Sequence, residues 1–204
     1  MKRSFRHWTP RYIWNRTNLW AYECANPNSP WLVRSMIDVL STWLRPQDEG
    51  LEFGSGRSTV WFAKRVRFLT SVEHNREWHI KVSNKISKDI CNVRLILREN
   101  KEEYIGIIDN IKDRSLDFCL IDGIYRDICT KNCLDKIKSG GILIVDNVNR
   151  YIPNHHTKQV APSSRLPKDG YATHVWAEVG EVIQDWRYIW VTDGVTDTAL
   201  WVKP

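Results

Sequence analysis

Short apolar runs alternate with longer amphipathic segments between about residues 50 and 145. Five apolar runs predict strands: 50–53, 67–73, 92–97, 116–121 and 142–145. The last two are continuously apolar, as parallel strands covered on both faces should be. The segments between the runs predict three helices, 59–66, 75–90 and 126–138, and a helix or long loop over 101–112. This βαβ rhythm predicts an α/β protein with a doubly wound, mostly parallel sheet.

Capping and helix-breaking residues mark three helix ends in this pattern. Ser29 would cap a helix that precedes the first strand, and Pro30 suits its first position. The apolar residues of that helix repeat along one face: Leu32, Met36, Val39, Leu40 and Trp43. Pro46 ends it. The helix over 126–138 is expected to end at the sequence Ser139-Gly140-Gly141.

Residues 148–172 lose the regular pattern, because Asn, His, Pro, Ser, Lys and Gly dominate there. A loop of this length in a compact domain is usually a lid or a binding loop. We therefore expect it to cover a binding site and to become ordered only when ligand is present. A short helix follows over 174–183. Two strands, 187–191 and 198–202, then flank Asp193 and Gly194, which predicts an antiparallel hairpin and brings the sheet to seven strands.

The first 28 residues mix basic and aromatic side chains without a clean period. These residues are Arg6, His7, Trp8, Arg11, Tyr12, Trp14, Arg16, Trp20 and Tyr22. Such a segment can bind nucleic acid or an anionic surface. We favour the alternative, an arm that packs its aromatic rings on the domain and leaves its arginines in water. The predicted organisation is an N-terminal arm, 1–28, and one domain, 29–204.

Composition fits a single globular domain. The chain has 204 residues, of which 42% are hydrophobic and 26% charged. Its net charge of +6 suits an acidic partner such as a nucleic acid, an anionic glycan or a membrane surface. The eleven tryptophans can form core or stack on sugars or bases, so their number alone does not choose between these roles.

Nothing in the chain predicts a membrane span or a secretory signal. No apolar run reaches the length of a spanning helix, and no apolar segment follows the basic start. The five cysteines are odd in number and scattered, which favours reduced thiols. These features predict a cytoplasmic location.

A glycine turn links the first strand to the next helix, in the sequence Leu51-Glu52-Phe53-Gly54-Ser55-Gly56-Arg57-Ser58-Thr59. A strand, a glycine turn and a helix present backbone N–H groups to a nucleotide-like ligand. Gly54 would allow the tight turn, and Gly56 would let the backbone approach the ligand. The third glycine of a dinucleotide-binding turn should stand at position 59, where the chain has Thr59, and this weakens an NAD interpretation.

The sequence Glu52-Phe53-Gly54-Ser55-Gly56 resembles motif I of the class I S-adenosylmethionine (SAM) methyltransferases. In that family the acid and the glycines surround the methionine part and the ribose of the cofactor. Glu73 ends the second strand, about 20 residues on, where an acid can accept hydrogen bonds from both ribose hydroxyls. The resemblance implies SAM as cofactor and the class I methyltransferase fold. The cofactor-binding candidates are Glu52, Phe53, Gly54, Ser55, Gly56, Ser58, Glu73, His74, Glu99 and Asp122.

Polar residues at the carboxyl ends of strands four and five form a second group. Asp122, Asp146 and Asn147 resemble the metal-binding trio of catechol-type O-methyltransferases, which implies a possible Mg²⁺ site. Their neighbours, among them Tyr125 and Tyr151, look more like those of methyltransferases found among sugar-modifying enzymes. In those an Asp-Gly pair serves as base or hydrogen-bond acceptor without metal. We favour the metal-free alternative.

The transferred methyl group is already activated in SAM, but a hydroxyl acceptor must still lose its proton. Asp122 and Asp146 are the catalytic candidates. His155 and His156, in the long loop, are either further bases or solvated residues. The substrate-binding candidates are Arg126, Asn147, Arg150 and His155. Either arginine could hold an anionic group of the substrate.

The sequence therefore predicts a SAM-dependent O-methyltransferase that acts on a sugar, a glycan or another small hydroxylated acceptor. No Asn-Pro-Pro-Tyr, Asp-Pro-Pro-Tyr or Pro-Cys motif points to methylation of nucleic-acid bases. Three alternatives stay open. The basic aromatic arm favours an RNA methyltransferase, a vestigial pocket would leave a non-catalytic binding protein, and an NAD(P) oxidoreductase is the weakest.

Overall fold

The computed structural model describes residues 7–86, 90–154, 161–164, 166 and 170–204. Its strands are β1 (Glu49–Phe53), β2 (Phe68–Glu73), β3 (Val93–Leu97), β4 (Leu116–Ile121), β5 (Ile137–Asp146), β6 (Arg187–Thr192) and β7 (Asp197–Val202). The α-helices of these residues are α1 (Pro10–Ala25), α2 (Arg34–Trp43), α3 (Arg57–Ala63), α4 (Arg76–Ser83), α5 (Lys101–Gly106), α6 (Arg126–Cys133) and α7 (His174–Ile183). None of the described helices is long and apolar enough to cross a membrane.

The seven strands form one sheet in the order β3-β2-β1-β4-β5-β7-β6. Strands β1 to β5 are parallel, and β7 pairs antiparallel with both β5 and β6. The predicted α/β fold, a doubly wound and mostly parallel sheet with a C-terminal hairpin, is confirmed. The chain leaves β1 toward β2 on one side and returns to β4 on the other. This reversal opens a crevice beyond the carboxyl ends of β1 and β4.

Helices cover both faces of the sheet because alternate strand residues point to opposite sides. Phe118 and Leu120 of β4 pack with residues of α2 and α3, among them Met36 and Phe62. Cys119 and its same-face neighbours pack with α5, α6 and α7 through Tyr104, Cys129 and Trp176. All these side chains are buried. The two apolar layers hold the carboxyl ends of β1, β4 and β5 at one edge of the sheet.

Within the predicted N-terminal arm, residues Pro10–Ala25 form helix α1. Thr9 caps the helix by accepting a hydrogen bond from the Tyr12 N–H at 3.2 Å, and Pro10 occupies the first turn. Aromatic side chains lie on both sides of α1, and this hides the helical period in the sequence. Of the aromatic rings that were expected to pack on the domain, Tyr12 is buried, whereas Trp8, Trp14 and Trp20 are exposed.

The helix predicted from Ser29 begins only at Arg34. The residues before it are held in an irregular segment by the domain: Leu32 and Val33 are buried, and the Val33 N–H points to Thr198 Oγ1 at 3.4 Å. Burial of this short segment therefore overrides the local capping signal at Ser29.

Further helix ends differ from the prediction, among them that of α3, which ends at Ala63 rather than at residue 66. Helix α4 ends at Ser83, before residues 87–89, which lie outside the described residues. Helix α6 ends at Cys133, and the residues expected to end it, Gly140 and Gly141, belong to β5. A Cβ on Gly141 would lie 3.0 Å from the backbone oxygens of Leu116 and Asp117, so the glycine there permits close strand approach rather than ending a helix.

The described parts of the 148–172 loop are anchored to the C-terminal hairpin. Asp197 is buried, and its carboxylate accepts the Ala161 N–H at 3.0 Å and the Trp190 indole N–H at 3.0 Å. The Ser163 hydroxyl donates to the Val195 carbonyl at 2.6 Å. These contacts hold the described parts on the domain, and the expectation that the loop becomes ordered only when ligand is present stays a prediction. Residues 155–160, with His155 and His156, lie outside the described residues.

Candidate active site

The glycine turn after β1 packs backbone to backbone against the turn after β4. Gly54 has a φ of +94°, and a Cβ placed there would lie 2.6 Å from the backbone nitrogen of Gly123. A Cβ on Gly123 would in turn lie 2.0 Å from the Tyr104 hydroxyl and 2.9 Å from the Gly54 nitrogen. Glycine at both positions is therefore required by contact, and at Gly54 also by backbone conformation.

The Thr59 side chain connects the glycine turn to Glu52 through hydrogen bonds. Its hydroxyl accepts the Gly56 N–H at 2.9 Å and donates to Glu52 Oε2 at 2.6 Å. The Ser71 hydroxyl donates to the same oxygen at 2.6 Å. Glu52 is fully buried, and burial raises the pKa of its carboxyl group. Its other oxygen, Oε1, is buried and has no hydrogen-bond partner among the described residues.

Glu73 ends β2 and is 2% exposed. Its Oε2 accepts the N–H and the hydroxyl of Ser55, at 3.0 and 2.8 Å. Its Oε1 accepts the N–H groups of His74 and Asn75, at 2.9 and 2.8 Å. One carboxylate thus joins the glycine turn to the turn that follows β2, as an acid with a site-forming role should.

A cavity of about 540 Å³ lies over these two turns, and we call it the turn cavity. It is lined by Trp31, Gly54, Ser55, Glu73, His74, Asn75, Glu77, Trp78, Lys81, Asp122, Gly123 and Ile124. Trp31 stacks on Trp78 with ring centroids 5.9 Å apart, and the Trp78 indole N–H donates to the Ser55 carbonyl at 2.7 Å. The aromatic wall is therefore fixed to the glycine turn.

A second cavity, of about 360 Å³, lies on the other side of Asp122, and we call it the α1 cavity. It is lined by Tyr12, Arg16, Leu19, Glu23, Trp31, Leu32, Asp122, Asp146, Asn147, Arg150, Asp193, Val195 and Thr196. Helix α1 forms one wall and the hairpin tip another. Both Asp122 and Trp31 line the two cavities, so these residues mark the place where the cavities meet.

Asp122 and Asp146 form a coupled pair of carboxyl groups at that place. Burial raises the pKa of Asp122 to about 6, and Arg126 opposes this shift. Burial, and after it the charge of Asp122, raise the pKa of Asp146 to about 7. Two carboxyl groups placed together cannot both ionise freely, so the pair retains a proton near neutral pH. Asp122 is the group of the pair that reaches both cavities.

Arg126 clamps the carboxyl ends of β4 and β5. Its guanidinium donates to the backbone oxygens of Gly123, Asp122 and Asp146, at 2.9, 2.7 and 2.5 Å. It also donates to Asp122 Oδ1 at 2.8 Å, and its side chain is only 12% exposed. It does not line either cavity. These contacts position Asp122 and leave little of the guanidinium for a substrate.

The three metal-ligand candidates do not fit a magnesium ion in this arrangement. Asp146 Oδ1 accepts the Thr198 hydroxyl at 2.6 Å, and its Oδ2 accepts the Asn147 amide at 2.7 Å. The Arg126 guanidinium donates a hydrogen bond to Asp122 Oδ1. The Asn147 amide nitrogen donates to Asp146 and to the Thr196 hydroxyl. Mg²⁺ needs several oxygens directed at one point, whereas both oxygens of Asp146 and Oδ1 of Asp122 accept hydrogen bonds from protein donors.

The structure brings together about half of the predicted cofactor residues. Gly54, Ser55, Glu73, His74 and Asp122 line the turn cavity. The other predicted residues are Glu52, Phe53, Gly56, Ser58 and Glu99. Glu52 and Phe53 lie in the layer beneath, and Gly56 and Ser58 start α3. Glu99 is exposed, pairs with Arg76 at 2.5 Å and does not line the cavity.

The predicted substrate residues Asn147 and Arg150 line the α1 cavity. Sequence reasoning missed the residues that α1 and the aromatic pair contribute, above all Tyr12, Trp31 and Trp78. No local pattern marks them, because they reach the site through the folding of the N-terminal segment over the crevice. Arg57 helps to hold that segment: its guanidinium donates to the Glu23 carbonyl at 3.2 Å and lies 5.0 Å from the Trp31 ring centroid.

Comparison with known proteins connects this geometry to methyltransferases at the level of fold. No protein-family model matches the chain, and no curated protein matches it in sequence. A Staphylococcus aureus structure assigned as a caffeoyl-CoA O-methyltransferase is 16% identical, with a TM-score of 0.58, and the match covers 98% of this chain and 95% of that one.

Two further solved structures match at similar levels. A Streptococcus mutans protein assigned as a methyltransferase, in complex with SAH, is 12% identical with a TM-score of 0.53, covering 82% of this chain and 94% of that one. An rRNA methylase from Streptococcus thermophilus is 12% identical with a TM-score of 0.51, covering 81% and 92%. At such identities the likeness carries the fold alone. The chain has the fold of class I SAM-dependent methyltransferases.

Proposed function

We propose that this protein is a SAM-dependent methyltransferase that methylates a hydroxyl group of a small acceptor such as a sugar. The observation that carries the proposal is the position of Asp122 in the wall of both cavities. One cavity holds the glycine turn and the acid of β2, and the other is bounded by α1 and the hairpin. A methyl donor and an acceptor in these cavities would meet beside a coupled carboxyl pair.

The turn cavity fits SAM in size and in chemistry. Its volume of about 540 Å³ lies in the range of small-molecule sites. The contact between Gly54 and Gly123 keeps side chains out of the floor, while Glu73 and the Trp31–Trp78 pair supply polar and aromatic walls. SAM, when bound, supplies a methyl group on a positively charged sulfur. The protein's task is then alignment, exclusion of water and removal of the acceptor proton.

The carboxyl pair provides the acceptor for that proton. Asp146 has the higher pKa, because burial and the charge of Asp122 outweigh the hydrogen bonds that it accepts from Thr198 and Asn147, so it keeps a proton more readily. Asp122 carries the negative charge and reaches the place where the cavities meet. Asp122 would accept the proton of an acceptor hydroxyl held in the α1 cavity, and SAM, when bound, would supply the methyl group by breaking its sulfur–methyl bond and leaving as S-adenosylhomocysteine. Arg126 holds the Asp122 side chain in position throughout.

The lining of the α1 cavity favours a hydroxylated acceptor. Carboxylates, an amide and arginine together offer both acceptors and donors to sugar hydroxyls, and Trp31 offers an aromatic face. The charged acids of this cavity, Glu23, Asp122 and Asp193, would repel a polyphosphate backbone. The RNA methyltransferase alternative would require RNA binding that falls steeply as salt rises. We also propose a cytoplasmic location, because no two of the five cysteines are paired in the structure.

We expect isothermal titration to show binding of SAM and S-adenosylhomocysteine, and none of NAD. Glu73→Ala should weaken SAM binding by roughly tenfold or more, because charge-assisted hydrogen bonds in the turn cavity are lost. Thermal unfolding of the Glu73→Ala protein separates this effect from loss of fold. Glu99→Ala is the matched control, since Glu99 lies outside the cavity. Equal affinity of wild type and Glu73→Ala would remove Glu73 from the site, and a folded protein that binds no SAM would favour the non-catalytic alternative.

We expect turnover to survive prolonged treatment with EDTA, because the oxygens of Asp146 are directed at protein donors. Asn147→Ala should then lower the rate only modestly, by disturbing the pair it positions. Methyl transfer to an acceptor panel, before and after chelation, provides the measurement. Loss of activity that Mg²⁺ or Mn²⁺ restores, together with inactivation by Asn147→Ala, would establish the metal-dependent alternative instead.

A further inference from the structure

The positive charge of the chain is concentrated in its first 34 residues. Six of these residues are basic and one is acidic, which gives a net charge of +5 out of +6 for the whole protein. The basic residues are Lys2, Arg3, Arg6, Arg11, Arg16 and Arg34. The remaining 170 residues are therefore nearly neutral as a group. Such segregation along the sequence favours a negatively charged partner for this segment.

Helix α1, at the centre of this basic segment, exposes apolar side chains on its outward face. Trp14 and Trp20 are 67% and 64% exposed, the highest values for large apolar side chains in the described part of the chain, and Ile13 is 48% exposed. Ile13, Trp20 and Cys24 share one face at helical spacing, with Trp14 adjacent. The opposite side of α1 carries Tyr12, Leu19 and Tyr22, which are buried or half-buried. Clustered exposure of this kind marks an interaction surface.

We propose that the outward face of α1 docks the protein on an anionic membrane surface. Trp and Ile side chains flanked by arginines are the composition of helices that lie in the membrane interface, with the rings at headgroup level and the cations near anionic lipids. Arg11 and Arg16 are exposed on the helix, and three more basic residues precede residue 7 in the sequence. Apolar area and positive charge together are the two signals that stable peripheral binding needs.

Two other occupants fit the observations less well. A second copy of the chain placed across a two-fold axis would bring two segments of net charge +5 together. Single-stranded RNA would stack on the tryptophans, but Ile13, Ala21 and Cys24 offer nothing to bases or phosphates. A membrane accommodates both the aliphatic and the aromatic residues of this face.

Docking through α1 would also hold the α1 cavity close to the bilayer. The same helix presents Tyr12, Arg16, Leu19 and Glu23 to that cavity. A helix is about 10 Å across, so the cavity wall would lie within about that distance of the headgroups. The docking itself does not depend on methyl transfer and can be tested without any cofactor or acceptor.

The test is flotation of the full-length protein with vesicles of phosphatidylcholine alone and of phosphatidylcholine mixed with phosphatidylglycerol. We expect binding to the mixed vesicles, weakened by added salt. Trp14→Ser combined with Trp20→Ser should reduce the partition coefficient by roughly tenfold or more, since apolar area is lost from the interface. Arg11→Gln should reduce it by a smaller factor. The matched control is Ile80→Ser combined with Val182→Ser, which removes similarly exposed apolar side chains from α4 and α7 and should bind as wild type.

Absence of binding to both kinds of vesicle would overturn the proposal, as would wild-type binding by the tryptophan variant. Sedimentation analysis covers the second-copy alternative: a dimer that the tryptophan substitutions dissociate would assign the face to self-association. Binding of single-stranded RNA that these substitutions abolish, without vesicle binding, would assign it to nucleic acid. The side chains concerned are exposed, so thermal unfolding of every variant should match the wild type.

Discussion

Asp122→Asn should lower kcat by roughly 10²–10⁴-fold while SAM affinity changes little, because the change removes the group that accepts the proton. The asparagine keeps the volume of the side chain and can still accept a hydrogen bond from Arg126, which also has three backbone acceptors at this site. The fold should therefore survive. Single-turnover methyl transfer and SAM titration, performed on the same preparation, separate the chemical step from binding.

The control for this prediction is Asp117→Asn, the same substitution at the opposite end of the same strand. Asp117 pairs with Lys138 at 2.8 Å and accepts the Glu49 N–H, far from both cavities, so kcat should stay near the wild-type value. Equal rates for Asp122→Asn and wild type would remove the base role from Asp122. A collapse of SAM affinity in Asp122→Asn would instead indicate that Asp122 binds the cofactor.

The coupled pair also fixes the sign of the pH dependence. Burial raises the pKa of Asp122 to about 6 and that of Asp146 to about 7, so both groups keep their protons to higher pH than exposed carboxyl groups. A base must be deprotonated to act, hence wild-type kcat/KM should rise with pH through this window and level off above it. The two pKa values belong to the pair of carboxyl groups. The rising part of the pH–rate profile therefore reports the titration of both groups together. For the Asp122→Asn variant, kcat/KM should no longer rise with pH in this window.

The sequence was sufficient to predict the sheet because its central strands are buried on both faces. Continuous apolar runs that end in acids, as at Asp122 and Asp146, allow both the strands and their carboxyl ends to be predicted from the sequence alone. The glycine turn was visible for the same local reason. The hydrogen bonds that support this turn could not be predicted in the same way. Thr59, noted in the sequence only as the place of a missing glycine, makes the hydrogen bonds that connect Gly56 to Glu52.

The acceptor side of the site could not be predicted from local pattern, because distant segments build it. Tyr12, Trp31 and Thr196 come from the N-terminal helix, the segment after it and the C-terminal hairpin, and meet only through the tertiary fold. Helix α1 was hidden because a helix with aromatic residues on both sides has no single apolar stripe. The same two-sided character leads to the membrane proposal.

Gly54→Ala should lower the free energy of unfolding by about 3–5 kcal/mol, the combined effect of a strained backbone and an overpacked contact. The φ of +94° disfavours any side chain, and the new methyl group would lie 2.6 to 2.8 Å from backbone atoms of Gly123 and Asp122. Backbone atoms at the ends of β1 and β4 cannot move aside without shifting the strands. Urea unfolding of both proteins measures the change, and SAM titration at low temperature should show that binding is lost with the turn.

Gly140→Ala isolates the two contributions. Gly140 has a similar φ of +79°, but nothing lies within 4 Å of the position that its Cβ would take. Its substitution should therefore cost only the backbone strain, about 1–2 kcal/mol. The difference between the two variants then measures the contact between the turns after β1 and β4. Equal losses for Gly54→Ala and Gly140→Ala would mean that the turns can separate freely, and that the floor of the turn cavity is not built by this contact.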